Sequence, residues 1–258
     1  MPLPKELKRF FEKLQRAEKR LLLLDYDGTL SPFVEDRDKA YPYDGVVPRL
    51  QKLVDSETTR TVVVTGRAIE HIKPLLKLER LPEIFGSHGW EHLTPDGEYH
   101  LKDAAAELQG GMEKALQYIS ENNLEKYLEK KPASLAIHFR GVKESEALDI
   151  KAKMLYNWKR IIKTVPLIFS EFDGGLELKY PGFNKGDVVN TILKDYPVNP
   201  TAAYLGDDLT DEDAFRALPE NAVGILVRPE YRETSADFWI KPPDELLMFL
   251  DRWMQNDR

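Results

Sequence analysis

The stretch Leu21-Leu22-Leu23-Leu24-Asp25-Tyr26-Asp27-Gly28-Thr29-Leu30 decides the fold. Its first four residues are all apolar, and two carboxylates and a glycine follow at once. A short run that is apolar at every position is typical of a strand covered on both faces, as in a parallel sheet flanked by helices. Because ligands collect beyond the carboxyl ends of such strands, Asp25 and Asp27 are candidate site residues.

Three further runs of the same kind lie along the chain, and each ends at a polar turn. They are residues 61–64 before Thr65-Gly66-Arg67, residues 202–205 before Gly206-Asp207-Asp208, and Val223–Val227 before Arg228. Helical patterns at Val46–Val54 and Lys185–Leu193 supply crossover connections, and Leu7, Phe10, Phe11 and Leu14 predict an amphipathic N-terminal helix. The sequence therefore predicts an α/β core built on a doubly wound parallel sheet.

Between residues 102 and 180 the pattern changes to the alternation of a strand covered on one face. The apolar positions are Leu135, Ile137, Phe139, Leu176, Leu178 and Tyr180, and the alternating ones are Ser134, Ala136, His138, Arg140, Glu177 and Lys179. A hairpin turn is expected at residues 173–175, and helical stretches near 104–119 and 143–162 would cover the apolar face. We therefore expect a core at 1–101 and 181–258. A smaller α+β cap with an open polar sheet face is expected at 102–180, between the second and third core strands.

Composition excludes several classes of protein. The 258 residues include no cysteine, which rules out disulfides, thiolate metal sites and thiol chemistry. A net charge of -7 argues against nucleic-acid binding, and no apolar run approaches the roughly 18–20 residues that span a membrane. The first twenty residues do not resemble a signal or transit peptide. We expect a cytoplasmic monomer that acts on a small molecule.

The carboxylates of Asp25 and Asp27 are close in sequence and would repel each other in a desolvated turn unless a cation lay nearby. Oxygen ligands without His or Cys favour Mg²⁺, which also accepts substrate phosphate as a ligand. Asp-x-Asp alone is a weak signal, because it also occurs in metal-dependent glycosyltransferases and in ordinary turns.

Three other segments carry comparable signals, each with a structural alternative. Thr65 and the amides after it could seat a phosphate or form a helix N-cap. Lys185 begins a predicted helix, and most lysines are simply exposed. Four carboxylates within six residues, Asp207, Asp208, Asp211 and Glu212, could hold a metal or act as an acidic N-cap.

These signals occur in one chain order that resembles the haloacid dehalogenase superfamily of phosphatases. The matching phrases are residues 24–30, 65–67, 184–186 and 206–212. Within that superfamily the chain is similar to the trehalose-6-phosphate phosphatase family at residues 86–91, 135–140, 176–179 and 206–215, and Phe139 stands where tyrosine is more usual. The resemblance implies magnesium-dependent hydrolysis of trehalose 6-phosphate through an aspartyl-phosphate.

The resemblance also implies a role for each site residue. Asp25 is the nucleophile, Asp27 the general acid and base, and Thr65 and Lys185 bind the phosphoryl oxygens. Mg²⁺ would be held by Asp25, by Asp27 through its backbone carbonyl, and by Asp207, with Asp208 as a direct or supporting ligand and Asp211 in support. Substrate contacts are expected from Gly66, Arg67, His88, His138, Arg140, Glu177 and Lys179.

Three alternatives stay open from the sequence. The substrate could be another sugar phosphate, such as sucrose 6-phosphate or mannosyl-3-phosphoglycerate, because relatives acting on these share the core and a similar cap. Asp25 and Asp27 could instead hold a nucleotide sugar in a glycosyltransferase. A catalytically silent binding module on the same fold is the third hypothesis.

Overall fold

The structure is a computed structural model that describes residues 5–34, 36–139, 141–172 and 174–255. The helices are α1 (Lys5–Arg16), α2 (Val46–Val54), α3 (Ile69–Leu76), α4 (Ala106–Glu121), α5 (Glu144–Ile161), α6 (Lys185–Leu193), α7 (Glu212–Ala217) and α8 (Asp244–Gln255). The strands are β1 (Arg20–Leu24), β2 (Thr59–Val64), β3 (Glu83–Gly86), β4 (Glu91–Leu93), β5 (Tyr99–Leu101), β6 (Leu128–Lys131), β7 (Ser134–His138), β8 (Ile168–Phe172), β9 (Gly175–Lys179), β10 (Thr201–Gly206), β11 (Val223–Val227) and β12 (Phe238–Ile240). Short 3-10 turns cover Arg37–Lys39, Ser87–Gly89, Glu125–Tyr127 and Leu209–Asp211.

The larger sheet has eight strands in the order β12-β11-β10-β1-β2-β3-β4-β5. The strands from β12 to β3 are parallel, and β4 runs antiparallel to β3. Strand β1 lies between β10 and β2, with Leu24 paired to Leu205 on one side and to Val63 on the other. This register brings the residues after β1, β2 and β10 to one edge of the sheet.

Both faces of this sheet are covered, which explains why residues 21–24 of β1 are all leucine. Leu22 and Leu24 pack into a cluster with residues of α1, α2, α3 and α8. Leu21 and Leu23 pack into a second cluster with residues of α6 and α7. The predicted α/β core is confirmed, and the predicted N-terminal helix buries Leu7 and Leu14 completely.

A second, antiparallel sheet has the order β6-β7-β9-β8. Its apolar face packs on α4 and α5, and Trp158 and Met154 of α5 are fully buried there. The predicted hairpin is confirmed by the pairing of Phe172 with Gly175, while Asp173 lies outside the described residues. The chain divides into two compact units, Met1–His100 with Phe183–Arg258, and Leu101–Gly182.

The structure corrects two expectations. The larger sheet gains β3, β4, β5 and β12, so the antiparallel unit follows β5 and not the second strand of the sheet. The polar face of the smaller sheet is not open at its centre, where Ser134 and Glu177 are buried. Lys131 of the neighbouring strand β6 lies 3.0 Å from Glu177. No helix in the described part of the chain is long and apolar enough to cross a membrane.

Candidate active site

The predicted site residues that are distant in sequence lie at the carboxyl edge of the larger sheet. Asp25, Thr65 and Asp207 each follow a strand directly and are almost completely buried. The backbone N–H of Asp25 donates to Leu205 O at 2.9 Å, and that of Thr65 donates to Phe85 O at 2.9 Å. Both residues are therefore fixed by the ladder of the sheet itself.

Lys185 lies at the first turn of α6, where its helix is capped. The side chain of Asn184 accepts the N–H of Asp187, and the side chain of Asp187 accepts the N–H of Asn184. Lys185 Nζ donates to Asp25 Oδ1 at 2.6 Å and to Asp211 Oδ1 at 2.7 Å. Burial alone would lower the pKa of Lys185, but the charges of Asp211 and Asp25 raise it above its ordinary value. This ammonium therefore stays charged inside the protein.

Asp25 combines burial with a partial counter-charge. Burial raises the pKa of its carboxyl to about 7. The positive charge of Lys185 lowers this pKa, and the negative charge of the nearby Asp211 opposes that lowering. Thr29 Oγ1 donates a long hydrogen bond of 3.4 Å to Asp25 Oδ2. A carboxylate that is bonded on one oxygen and weakly held on the other is available as a nucleophile.

Asp211 organises the turn after β10. Its Oδ1 accepts from Tyr204 OH at 2.7 Å, and its Oδ2 accepts the N–H groups of Asp207 and Asp208 at 3.0 and 2.9 Å. Asp208, which the sequence placed near the metal, has an exposed side chain. The three buried carboxylates whose oxygens lie within 4.8 Å of one another are Asp25, Asp207 and Asp211. Asp211 thus belongs to this buried cluster, and Asp208 remains a predicted supporting ligand with an exposed side chain.

Asp207 is the member of this cluster whose carboxylate oxygens lack hydrogen bonds. Among the described residues no group donates a hydrogen bond to either of its buried carboxylate oxygens, and Arg228 Nη1 lies 3.7 Å from Oδ2. Gly28, at φ +80°, passes so close that a Cβ there would overlap the Asp207 carboxylate. Burial and the charges of Asp25 and Asp211 raise the pKa of Asp207 to about 10. Hard oxygen donors, one of them unpartnered, fit a divalent cation such as Mg²⁺.

Asp27 is held by Arg67 in a bidentate ion pair. Arg67 Nε and Nη2 donate to the two oxygens of Asp27, both at 2.7 Å. Arg67 is buried, and its Nη1 donates to Arg37 O at 2.9 Å. The sequence placed Arg67 among the substrate contacts, whereas in this structure its guanidinium binds a candidate catalytic carboxylate.

Thr65, Gly66 and His88 lie together where β2 ends. Thr65 Oγ1 accepts the N–H of Arg67 at 3.1 Å, which orients its hydroxyl within the turn. The N–H of His88 donates to Thr65 O at 3.0 Å. A Cβ on Gly66 would lie 2.8 Å from Cε1 and Nε2 of the His88 ring, so only glycine lets the ring come this close.

The residues predicted on the smaller sheet form a charged network within that unit. Glu177 Oε1 accepts from Lys131 Nζ at 3.0 Å and from Ser134 Oγ at 2.8 Å. His138 Nε2 lies 2.8 Å from Glu129 Oε2. Lys179 is partly exposed on the same face, and Arg140 lies outside the described residues.

Sequence reasoning missed four residues that bond to the predicted site residues of the two sheets. Glu129 and Lys131 belong to Leu-Glu-Lys-Lys, whose apolar content and alternation are too weak to indicate a strand. The side chains of Arg228 and Arg232 each donate to Asp207 O at 3.2 Å. They therefore fix the backbone of Asp207, a candidate metal ligand. Arg228 stands directly after a predicted strand, and that position was the available signal.

Comparisons with known proteins identify relatives in sequence and in fold. The sequence profile described as trehalose-phosphatase matches residues 23–241. An Arabidopsis thaliana protein named probable trehalose-phosphate phosphatase E is 30% identical over 98% of this chain and 76% of its own length. The C-terminal domain of C. albicans trehalose-6-phosphate phosphatase is 21% identical, with a TM-score of 0.78 over 98% of both chains. A haloalkanoate-superfamily phosphatase from Bacteroides thetaiotaomicron is 16% identical, with a TM-score of 0.59 over 92% of this chain and 95% of its own.

Proposed function

The chain belongs to the trehalose-phosphatase family, and we propose that it hydrolyses trehalose 6-phosphate to trehalose and phosphate with Asp25 as the nucleophile. The class of enzyme is thus a phosphoric monoester hydrolase acting on a small sugar phosphate. The observation that carries the proposed chemistry is the buried set of Asp25, Lys185 and Asp207 at one sheet edge. Such a set can present a nucleophile and a fixed cation to one phosphoryl group.

The reaction proceeds in two displacements. An oxygen of Asp25 attacks phosphorus, the bond between phosphorus and the sugar oxygen breaks, and its electron pair stays on the sugar oxygen. Asp27 gives a proton to that oxygen, so trehalose leaves as an alcohol. Water then attacks phosphorus of the aspartyl-phosphate, Asp27 takes a proton from it, and Asp25 is regenerated with release of phosphate.

Lys185 and Thr65 bind the phosphoryl oxygens in this proposal. Lys185 is supported by its burial and its two carboxylate partners, which keep it cationic at the reacting group. Phosphate monoester hydrolysis is among the slowest uncatalysed reactions, so preorganised positive charge is the main source of acceleration.

Asp25, Asp207 and the backbone carbonyl of Asp27 would hold Mg²⁺. When bound, the ion neutralises negative charge on the phosphate and on the carboxylates around it. The proposal is supported by the Asp207 oxygens, which accept no hydrogen bond from any described residue. Asp211 supports this set through the backbone of Asp207 and through Lys185.

Arg67 is proposed to position Asp27. Its two hydrogen bonds hold the Asp27 carboxylate in one orientation. A general acid must carry its proton at the moment the sugar leaves, so Asp27 has to rearrange within this pair during the reaction. Arg67 would thus act on the substrate through Asp27, in addition to any direct contact.

The polar face of the smaller sheet is proposed to recognise the sugar. A disaccharide offers hydroxyl groups, which bind well to charged donors and acceptors. Glu177, His138 and Lys179 supply such groups, together with Lys131, which the sequence had not indicated. Arg140 remains a predicted contact, as does His88 on the larger unit.

The experiment that tests the function is phosphate release from a panel of sugar phosphates. We expect turnover of trehalose 6-phosphate that EDTA abolishes and Mg²⁺ restores, and no turnover by the Asp25→Asn variant. Comparable turnover of sucrose 6-phosphate or mannosyl-3-phosphoglycerate would contradict the substrate while leaving the reaction intact. Full turnover by Asp25→Asn would contradict the proposed nucleophile, and complete lack of turnover by the wild type would favour the silent module.

The state and location of the protein in the cell are separate proposals. We infer a cytoplasmic monomer from the sequence. Equilibrium sedimentation of the whole chain checks the oligomeric state, and fractionation of the source cells checks the location.

A further inference from the structure

The turn Ser87–Gly89 has an unusual backbone. Three successive residues have positive φ: Ser87 at 47°, His88 at 57° and Gly89 at 102°. Side-chain-bearing residues avoid this left-handed region, and two of them in a row indicate a conformation that the surroundings impose. Neighbouring groups must therefore hold this turn in its conformation.

Two backbone hydrogen bonds hold the turn, from the N–H of Ser87 to Arg67 O at 2.8 Å and from the N–H of His88 to Thr65 O at 3.0 Å, and Glu91 adds a side-chain restraint. This residue is buried at the start of β4, and its carboxylate accepts a hydrogen bond from Ser87 Oγ. The same carboxylate accepts the N–H of Ile69 at 3.3 Å and Tyr99 OH at 3.1 Å. Ile69 is the first residue of α3, the helix that follows Thr65-Gly66-Arg67. One carboxylate thus ties the strained turn to the segment that carries the proposed phosphate seat.

A second buried carboxylate on the same hairpin shows the ordinary alternative. Glu83, at the other end of β3, is paired with Arg60 at 2.8 Å and with His92 at 2.7 Å. Among the described residues Glu91 has no such cation and bonds three neutral donors. Burying a carboxylate without a counter-charge is costly, so a role beyond packing the hairpin is expected.

The strained turn determines where His88 lies. Its ring lies over Gly66, and its N–H donates to Thr65 O at 3.0 Å. Release of the turn would let Ser87 and His88 return to ordinary backbone angles and would withdraw the ring from Gly66.

We propose that Glu91 is a positioning residue that acts on the substrate through His88, by holding the turn Ser87–Gly89 against the Thr65-Gly66-Arg67 segment. The inference rests on the proposed function, because His88 gains a role only beside a bound phosphate ester. Glu91 itself touches no substrate in this proposal, and its effect passes entirely through the imidazole.

A double-mutant cycle tests this inference. The proteins are the wild type, Glu91→Gln, His88→Ala and the double variant, with Glu83→Gln as a matched loss of a buried carboxylate. We expect Glu91→Gln to lower kcat/KM for trehalose 6-phosphate about tenfold in the wild type and less than about twofold in the His88→Ala background. Glu83→Gln should stay within about twofold of the wild type at equal or larger loss of thermal stability.

Additive effects of Glu91→Gln and His88→Ala would overturn the inference, as would equal losses of kcat/KM in Glu91→Gln and Glu83→Gln. If circular dichroism shows that Glu91→Gln is unfolded, Tyr99→Phe removes a single hydrogen bond from Glu91 and must show the same dependence on His88. The proposed function is judged separately, from turnover of trehalose 6-phosphate by the wild type. If that fails, the cycle is measured on whichever ester of the panel the wild type hydrolyses.

Discussion

Two clusters of charged side chains differ in how their charges are balanced. At the edge of the larger sheet, three buried carboxylates, Asp25, Asp207 and Asp211, face one ammonium, Lys185. On the smaller sheet, Lys131 lies 3.0 Å from Glu177 and 3.9 Å from Glu129, which is in turn bonded to His138. Even with Arg228, which lies 3.7 Å from Asp207, the first cluster has more carboxylates than cations, and neither oxygen of Asp207 accepts a hydrogen bond from a described residue. In the second cluster, Glu177 and Glu129 each have a hydrogen-bonding partner on the same sheet.

Under the proposed function, the difference separates a site that would bind a cation from a surface whose hydrogen bonds could pass to the sugar. Buried like charges raise each other's pKa and destabilise the fold until an ion binds. A network of opposite charges has no such requirement, and its hydrogen bonds can pass to sugar hydroxyls at little cost. Chemistry and sugar recognition are therefore expected to respond differently to mutation, and the following variants measure that difference.

The largest effect is expected from Lys185→Met. Removing a preorganised cation at the phosphoryl group should lower kcat by roughly 10²–10³-fold, with a smaller change in KM. Steady-state phosphate release with saturating Mg²⁺ measures both constants. Lys194→Met, at the exposed far end of the same helix, is the control and should retain wild-type kcat. A change of KM alone in Lys185→Met would show that the cation binds substrate without stabilising the transition state.

A second effect is expected on stability in the absence of metal. The pKa of Asp207 is raised to about 10 by burial and by Asp25 and Asp211. An acid with a raised folded-state pKa favours the folded state at low pH, and this contribution is lost as the pH rises from the unfolded value towards about 10. Asp207→Asn should therefore be more stable than the wild type in EDTA at pH 8, by about 1 kcal/mol or more.

Thermal melting in EDTA and in Mg²⁺ checks this prediction. We expect Asp207→Asn to raise the melting temperature in EDTA by at least about 2–4 °C, to reduce the loss of stability above pH 5, and to remove most of the stabilisation by Mg²⁺. The same variant should lack turnover. A lower melting temperature than the wild type in EDTA at pH 8 would show that burial of Asp207 does not destabilise the metal-free protein.

The fold was predictable where burial is uniform. Strand β1 is apolar from Leu21 to Leu24 because helices cover both faces of the sheet, and the sequence shows this constraint directly. The missed strands are short and mixed. Strand β5 has three residues, all exposed, and β3 begins with Glu83, whose burial depends on Arg60. Their positions depend on partners distant in sequence, which no local pattern reports.

The candidate site was predictable to the extent that it follows strand ends. Asp25, Thr65 and Asp207 were found because parallel strands bring their carboxyl ends to one edge. Spacing alone could not show that Asp211 turns inward and Asp208 outward, because this depends on the short turn between them. Nor could it show that Arg67 binds Asp27, since these residues are 40 positions apart and meet only in the fold.

The smallest effect on the chemical step is expected from the network of the smaller sheet. Among the described residues, Glu177→Gln leaves the buried ammonium of Lys131 paired with the more distant Glu129, and it should lower the free energy of unfolding by about 1–3 kcal/mol. Replacing both partners, as in Lys131→Met with Glu177→Gln, should recover much of that loss because no buried charge is then left unpaired. Denaturant unfolding measures these values, with Lys179→Gln on the same face as a control within about 0.5 kcal/mol of the wild type.

All three variants should retain kcat for p-nitrophenyl phosphate, which has no sugar, while Glu177→Gln raises KM for trehalose 6-phosphate. A loss of kcat on p-nitrophenyl phosphate comparable to that of Lys185→Met would mean that the two clusters do not divide chemistry from recognition.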